Sequence, residues 1–215
     1  MKIQLSLAAL AASLFFASCG NNNSEATTDA NAVDSNAVVL TDGTYNIDTT
    51  SAEILWTGRK IGGEHRGTIK AIGGAINVTG GNITNAMLNI NMNSIAVTDL
   101  EGEEAANLQG HLMSDDFFGT ANFPEATINV TNVTMGEGGM LTVSGDLTIK
   151  GITHPFTTEA AAVKSAGNSI SMKGKVVVDR TLYDIKYGSA KFFADIADKA
   201  INDEFDIEFS FSANM

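Results

Sequence analysis

The chain has 215 residues, with 21 glycines, two prolines, a single cysteine and a formal net charge of −12. This length supports one ordinary domain with its own hydrophobic core. The acidic balance excludes nucleic acid as a partner, because phosphates require clustered Lys and Arg. It also argues against docking onto anionic lipid by charge alone, so membrane contact has to come from another feature.

The first 18 residues have the pattern of a secretory signal peptide. Lys2 supplies a positive charge, the apolar run 3–17 follows it, and the small residues Ala17 and Ser18 precede Cys19. The run is shorter than the roughly 20 apolar residues that span a bilayer. We therefore expect cleavage before Cys19. The alternative is an ordinary secreted protein with a stray cysteine near its cleavage site.

Cys19 also predicts a lipid anchor, because residues 16–19 resemble a bacterial lipoprotein box in which Phe16 replaces the usual leucine. Lipidation explains why a secreted chain keeps one unpaired cysteine, and several acyl chains give stable membrane attachment. Residues 19–42, rich in Asn, Ala, Thr, Asp and Ser, predict a flexible tether behind the anchor. We expect a periplasm-facing lipoprotein of the bacterial cell envelope. Gly20, in place of a retaining Asp, favours the outer membrane.

From residue 43 to residue 215 the pattern changes to apolar residues at every second position, which predicts β-strands with one buried face. The clearest alternating runs are 53–58, 86–92, 141–149, 170–178 and 205–211. Glycine-containing turns between strands predict antiparallel connections. The fold class is therefore all-β. Alternation alone leaves open whether the strands pack as two sheets or close into a barrel.

Two stretches depart from the alternation and predict short helices. Residues 101–112 have acidic residues in their first turn and an apolar stripe at near-helical spacing: Ala105, Leu108 and Leu112. Residues 189–200 begin with Ser189 as a potential N-cap and also place apolar residues on one side: Phe192, Phe193, Ile196 and Ala200. Such helices commonly lie at the end or mouth of a barrel.

Five ordered motifs in residues 43–215 resemble the YceI-like family. They lie at 44–56, 64–69, 111–127, 145–156 and 178–185. Within them, Ile69 replaces the aromatic residue that is usual in the family, and Asp179, Tyr183 and Asp184 depart from the usual Asn-Arg and Phe-Gly element. The resemblance implies an extended antiparallel, lipocalin-like β-barrel of about eight strands with one or two short helices. It also implies an interior that binds polyisoprenoids or fatty-acid derivatives, and no known catalysis.

A long hydrocarbon requires an apolar interior more than a precise polar cluster, since each buried methylene contributes roughly 0.8 kcal/mol while association costs about 4–15 kcal/mol. For each inward-facing residue, plain core packing is the alternative to ligand contact. The candidate ligand-binding residues of the strands and their connections are Trp56, Ile90, Met92, Leu147, Ile149, Phe156, Phe209 and Phe211.

Three aromatic rings surround one predicted turn, namely Phe117, Phe118 and Phe123. We expect them either to gate the ligand tunnel or to plug the end of the barrel. His65 and His111 lie in the family-like motifs, and we expect them to meet near a barrel end and orient a polar head group.

No metal or cofactor is expected. His65, His111 and His154 are far apart in sequence and form none of the usual metal-ligand spacings. An acidic cluster, Glu101, Glu103, Glu104, Asp115 and Asp116, lacks the spacing of a calcium loop and predicts a solvated face.

The sequence therefore predicts a membrane-anchored carrier for a long-chain apolar lipid. An enzyme is disfavoured, because no nucleophile elbow, phosphate loop or redox cysteine pair is present. A ligand-free scaffolding or adhesion barrel of the envelope remains the alternative, and a homodimer is left open.

Overall fold

The computed structural model describes residues 40–137, 140–194, 196 and 199–215. The expected signal peptide, Cys19 and tether residues 20–39 lie outside the described residues. The described chain forms nine strands and one α-helix, in the order β1 (Gly43–Ile47), β2 (Glu53–Lys60), β3 (Gly63–Thr79), β4 (Asn82–Val97), α1 (Gly102–Met113), β5 (Glu125–Met135), β6 (Met140–Ile149), β7 (Ile152–Ala166), β8 (Ser169–Asp179) and β9 (Ile201–Asn214).

The strands close into an antiparallel barrel. Each strand from β2 to β9 pairs with its neighbours in the order β3-β2-β9-β8-β7-β6-β5-β4, and a further pairing of β3 with β4 completes the ring. Gly67 lies opposite Val97 and Thr79 opposite Asn82, so the closing pairing runs along almost the whole of β3. The barrel expectation is thus confirmed, and the two-sheet alternative is excluded by this closure.

The ninth strand does not widen the barrel, because β1 and β2 share one position in it. Both strands pair with β3, with Tyr45 opposite Ile76 and Ile54 opposite Ile69. Both also pair with β9, β1 at Ala213 and β2 from Ser210 downward. Any cross-section of the barrel therefore contains eight strands, which agrees with the expected number. The short strands β1 and β2 follow one another along the same position of the wall.

The alternating runs point their apolar residues into this barrel. In β6 the residues Leu141, Val143, Leu147 and Ile149 are buried while their neighbours are partly exposed. The alternation identified this buried face correctly, because successive side chains of a strand lie on opposite faces of the sheet.

The first predicted helix is present, but the second is not. Helix α1 spans Gly102–Met113, with Glu103 and Glu104 in its first turn. Within residues 189–200, positions 190–192 and 194 form turns, and the N–H groups of Phe192 and Phe193 both donate to Ser189 O. The helix prediction for this segment was wrong because most helical stability comes from packing an apolar face, and both Phe rings are exposed.

Two opposite ends of the barrel can be distinguished along β3. The end near Gly63 is formed by the β2–β3 hairpin, by α1 and by the segment between β8 and β9; we call it the mouth. At the other end, Asp42 accepts hydrogen bonds from the N–H groups of Gly80 and Gly81 in the β3–β4 turn. Residue 40 therefore lies at the end opposite the mouth. Among the described residues, no helix is long and apolar enough to cross a bilayer.

Candidate functional site

A cavity of about 350 Å³ occupies the barrel interior on the side of the mouth. Its volume lies in the range of small-ligand pockets, about 300–1,000 Å³. The wall is mostly apolar, and it includes Ile54, Ile69, Leu88, Ile95, Ala126, Ile128, Val176, Val178 and Ile207. The polar side chains lie largely where the strands end at the mouth: Arg59, Lys60, His65, His111, Arg180, Tyr187 and Asn202. Because Lys60 and Tyr187 are exposed, the cavity reaches the surface there.

Most of the residues proposed from the sequence line this cavity together. They are Trp56, His65, Ile90, Met92, His111, Phe117, Phe118, Leu147, Ile149, Phe156 and Phe209. Phe123 lies outside the lining and instead approaches Gly119 and Gly151. Phe211 lines a second, smaller cavity. Of the three rings around the α1–β5 connection, only Phe117 and Phe118 are therefore placed to meet a ligand here.

The second cavity, of about 70 Å³, lies deeper in the barrel. It shares with the first cavity the residues Leu88, Ile128, Phe156, Val176 and Phe209. The ring of Phe209 stacks on that of Phe211 with 5.9 Å between centroids. These shared side chains form a partition between two apolar spaces, and a shift of the rings would extend the larger space along the barrel.

The indole ring of Trp56 packs over a glycine on the neighbouring strand, which leaves space for it. Gly67 lies directly opposite Trp56, and a Cβ at position 67 would collide with the indole ring and with Ala96 O. The indole Nε1 of Trp56 is buried and has no hydrogen-bond partner among the described residues. The unpaired indole N–H keeps a polar group inside an otherwise apolar wall, at the free-energy cost of an unsatisfied buried donor.

Aromatic rings from separate parts of the chain form a cluster at the mouth. His111 of α1 meets Phe117 edge to face at 4.9 Å and Tyr187 at 4.6 Å between ring centroids. Nε2 of His111 lies 3.3 Å from Asp116 Oδ2. Phe118 contacts Phe205 at 6.2 Å in the same edge-to-face manner. The cluster joins the helix to the segment between β8 and β9 above the cavity.

The second histidine of the mouth is oriented by a carboxylate. His65 Nδ1 lies 3.0 Å from Asp99 Oδ2, and Arg66 N–H donates to the other oxygen of Asp99 at 3.2 Å. Burial raises the pKa of Asp99, but the hydrogen bonds from Arg66 and His65 outweigh it, so the pKa is lowered overall. Asp99 is thus held as a carboxylate that positions the His65 ring at the cavity.

Arg180 ties the strand ends together at the mouth. Its guanidinium is buried and donates to four backbone oxygens, those of Asn202, Ile185, Tyr187 and Ile201, at 2.8–3.0 Å. Asp203 Oδ1 lies 3.6 Å away, close enough for charge attraction but too far for a hydrogen bond. Burial lowers the pKa of Arg180, and Asp203 and Asp179 oppose that effect. The side chain therefore organises the segment that carries Tyr187.

Arg59, another cation of the cavity lining, is neutralised by carboxylates. Arg59 contacts Asp206 Oδ2 at 2.8 Å and Glu64 Oε2 at 3.4 Å, and Lys175 Nζ contacts the same Asp206 oxygen at 2.7 Å. Arg59 lies where the β2–β9 register shifts, between Gly58 and Lys60. This ion-pair cluster links four adjacent strands, β3, β2, β9 and β8.

The third histidine lies apart from the site. His154 packs edge to face on Tyr183 at 5.4 Å and is absent from the cavity lining. The acidic residues of α1 and of the following turn are exposed. Within the described part of the chain, no three His, Cys, Asp or Glu side chains are grouped to hold a metal ion.

Sequence reasoning missed several residues of the lining. Ile54, Leu88, Val176, Val178 and Ile207 lie on the alternating apolar faces and could have been identified by the same pattern that identified Ile90 and Leu147. Tyr187 and Arg180 gave no such signal. Both lie between strands, and their positions at the cavity depend on the backbone path after β8.

A model of the YceI-like domain matches residues 45–213 of this chain. Among curated proteins, "Protein YceI" of Escherichia coli O157:H7 is 34% identical over 97 residues, which cover 45% of this chain and 48% of the relative. A "UPF0312 protein" of Shewanella denitrificans is 40% identical over 76 residues, covering 35% and 37%. The chain thus spans about half, or less, of the length of these relatives.

Two solved structures have a similar fold at low sequence identity. BcnA of Burkholderia cenocepacia superposes with a TM-score of 0.64 at 19% identity, covering 78% of this chain and 99% of that one. A polyisoprenoid binding domain of Saccharophagus degradans, implicated in plant cell wall breakdown, superposes with a TM-score of 0.60 at 18% identity, covering 79% and 97%. The likeness extends over the barrel.

Proposed function

The chain belongs to the YceI-like family, and from this premise we propose that it is a membrane-anchored binding protein that carries a long-chain apolar molecule inside its barrel. The proposed ligand is a polyisoprenoid or a fatty-acid derivative. The proposed location is the periplasmic side of the bacterial envelope, at the outer membrane, with attachment through lipid on Cys19. The role is binding rather than catalysis.

The observation that carries the proposal is the form of the cavity. About 350 Å³ of space is enclosed by aliphatic and aromatic side chains, and its polar residues are gathered at the mouth. Such an arrangement suits a molecule with a long apolar tail and a polar end. Because each buried methylene contributes roughly 0.8 kcal/mol, a tail of many carbons is needed to exceed the cost of association.

The comparison with the Saccharophagus domain supports the ligand class. That protein is a polyisoprenoid binding domain, and its fold covers 79% of this chain. In this chain the partition between the two cavities includes the rings of Phe156 and Phe209. We propose that a long tail displaces these rings and extends from the larger cavity into the smaller one.

The polar end of the ligand is proposed to lie at the mouth, beside His65 and His111. Both histidines line the cavity, and each faces a carboxylate with one ring nitrogen. Because a carboxylate only accepts, the ring nitrogen that faces it carries the proton, and the opposite nitrogen would accept a hydrogen bond from a hydroxyl group of the ligand. The ring of Tyr187 then covers the head group from outside.

The test is to identify what the purified full chain carries. Native mass spectrometry and organic extraction are expected to find a long-chain molecule on the wild-type protein. Ala126 is buried in the cavity wall and Asn129 is exposed on the same strand. Ala126→Phe should therefore lose the ligand by filling the cavity, whereas Asn129→Phe should keep it.

A folded wild-type protein that carries no such molecule, and takes up none from added prenols or fatty acids, would contradict the proposal. It would favour the ligand-free scaffolding barrel. Thermal unfolding of both variants distinguishes loss of the ligand from loss of the fold.

A further inference from the structure

One side of the mouth carries large apolar side chains that are exposed to solvent. Ile61, Tyr187, Phe192 and Phe193 are 58%, 45%, 43% and 48% exposed. We call these four residues the apolar rim. Ile61 lies at the turn of the β2–β3 hairpin, and the other three lie between β8 and β9.

Backbone hydrogen bonds hold the parts of the apolar rim next to one another. Ile61 N–H donates to Ala200 O at 3.2 Å, and Ile201 N–H donates to Gly188 O at 2.8 Å. The N–H groups of Phe192 and Phe193 both donate to Ser189 O. The hairpin turn and the β8–β9 segment therefore form one continuous surface beside the cavity residues Lys60, Tyr187 and Ile201.

This surface differs from the other exposed apolar positions of the barrel. Leu55 and Val177 are also exposed, but they lie opposite Glu208 and Asp206 on the neighbouring strand. Scattered apolar residues among charges are normal on a soluble surface, whereas a cluster next to a ligand site marks a docking surface.

Two lysine amines lie close to one ring of the apolar rim, that of Phe192. The amines of Lys186 and Lys191 lie 5.4 and 5.8 Å from the centroid of the Phe192 ring. Lys186 also pairs with Asp184 at 2.5 Å, and Lys191 donates to Thr181 Oγ1 at 3.2 Å. Lys60 adjoins Ile61 at the hairpin. Aromatic rings flanked by lysines are typical of surfaces that enter the interface of a bilayer, where the amines reach the phosphates.

We propose that the apolar rim docks the mouth of the barrel onto the surface of a phospholipid bilayer. Phe192, Phe193 and Ile61 enter the region between head groups and acyl chains, and Lys60, Lys186 and Lys191 contact lipid phosphates. A molecule leaving the bilayer then enters the cavity without crossing water. The proposal goes beyond ligand binding in the barrel and can be tested without any ligand.

Apolar insertion has to supply most of this binding. The sequence also places Asp195 and Asp198 in the β8–β9 segment, so the segment is close to neutral rather than strongly basic. Against a net charge of −12 for the chain, near-neutrality is itself favourable, because it avoids repulsion by anionic head groups at the point of contact. Because the net charge does not attract the chain to anionic lipid, insertion of the apolar rim has to provide most of the binding free energy.

The experiment measures membrane contact by the fluorescence of a label attached to one position of the chain at a time. In the full chain with Cys19→Ser, the variants Phe193→Cys and Ile72→Cys each place one thiol for a polarity-sensitive nitrobenzoxadiazole label. Ile72 is 49% exposed and lies on β3, within the wall of the barrel, so it is the matched control. Vesicles of phosphatidylethanolamine and phosphatidylglycerol are then added, with and without nitroxide-labelled lipid.

The label at position 193 is expected to brighten about threefold, shift to the blue and be quenched by the nitroxide, as for side chains that enter the interface by ~5–10 Å. The label at position 72 should not respond. Because the apolar run 3–17 is present in both proteins, attachment through it cannot produce the difference. Equal responses at both positions, or none at position 193, would overturn the proposal.

A second measurement guards against local misfolding and self-association. Phe192→Ser combined with Phe193→Ser should weaken vesicle binding by at least about tenfold, whereas Ile72→Ser with Met87→Ser should not, since each buried Phe contributes about 1.5–3 kcal/mol or roughly tenfold or more. Equal melting temperatures confirm that both proteins are folded. If the fluorescence of the label at position 193 rises with protein concentration in the absence of vesicles, the apolar rim binds a second copy of the chain. That result would refute docking onto a bilayer.

Discussion

The imidazole of His111 meets the ring of Tyr187 edge to face, with 4.6 Å between their centroids. This contact joins helix α1 to the segment between β8 and β9, two elements that are far apart in sequence and both line the cavity. Tyr187 is also exposed at the surface. The pair therefore lies where the cavity reaches the surface.

We predict that Tyr187→Ala speeds ligand exchange. Loss of the ring removes its contacts with His111 and Phe117, and an aromatic pair contributes about 0.5–1.5 kcal/mol, or roughly a two- to tenfold change in rate. Release of a fluorescent fatty acid after mixing with excess unlabelled ligand measures the rate. Tyr187→Phe keeps the ring and should release ligand at the wild-type rate. A wild-type release rate in Tyr187→Ala would show that the Tyr187 ring does not slow ligand exchange.

We predict that Phe156→Ala lets the protein hold longer tails. Phe156 lines both cavities, so removal of its ring should join them. The variant is expected to lose about 3 kcal/mol of stability, as for a large-to-small change in a core. Competition among prenols of increasing length, read by native mass spectrometry, should shift toward the longer chains.

Phe123→Ala is the matched control for that experiment. The same ring is removed, but Phe123 lies outside the lining of both cavities. Its length preference should remain that of the wild type. If both variants shift equally, general loosening of the barrel rather than joined cavities is the cause.

We predict that Arg180→Lys destabilises the fold markedly. A lysine cannot replace the fork of donors that contacts four backbone oxygens. Leaving several buried carbonyls unpaired should cost about 3 kcal/mol in the free energy of unfolding. Urea unfolding measures it, with Arg66→Lys as the exposed control, for which a change below about 0.5 kcal/mol is expected. Similar values for the two variants would refute the structural role of Arg180.

We predict that Asp206→Asn reduces the dependence of the free energy of unfolding on pH on the acid side, which we call the acid limb. Burial raises the pKa of Asp206, but hydrogen bonds from Lys175 and Arg59 outweigh it and the pKa is lowered overall. Because the folded pKa lies below the unfolded value of about 3.9, the stabilisation is present above that pH and is lost as the pH falls through the folded pKa. Urea unfolding at a series of pH values measures this dependence.

At neutral pH the same variant should lose about 1–2 kcal/mol, since the carboxylate is nearly buried while its two partners are half exposed and screened. The acid limb will keep some slope, because the pKa values of Asp99 and Asp184 are also lowered. An acid limb identical to that of the wild type would show that Asp206 does not contribute to it.

We predict that Cys19→Ser leaves only the reversible contact of the apolar rim with the bilayer, so that washing removes the protein from the membrane fraction while ligand binding is kept. Cell fractionation and extraction of the soluble variant measure both. Recovery of the variant in the membrane fraction at the wild-type level would contradict lipidation at this residue.

The position of residue 40 sets a condition on the tether. It lies at the end of the barrel opposite the mouth, and the 17 residues of β3 between the two ends correspond to about 50 Å of strand. Residues 20–39 can span at most about 70 Å. An anchored protein can therefore bring its mouth to the same bilayer, but a chain with half of this tether deleted should not. In such a deletion variant that keeps Cys19, the fluorescence of a label at position 193 would show whether the mouth still contacts the bilayer.

The sequence alone determined the class of fold and the buried faces of the strands. Alternation places residues such as Leu147 and Ile149 on one side regardless of how the sheet closes, since the period of two is a local property of an extended backbone. A second local pattern, apolar residues at near-helical spacing, identified helix α1, and the family-like motifs indicated the barrel.

Only the tertiary structure decided which residues meet. It closed β3 onto β4, let β1 and β2 share one wall, and moved Phe123 and Phe211 away from the main cavity. It also placed turns at 190–192 and 194, where a helix was predicted, and exposed Phe192 and Phe193. Tyr187 and Arg180 reach the cavity because the chain turns back after β8. Such contacts join residues distant in sequence, and their energies depend on packing that no local pattern contains.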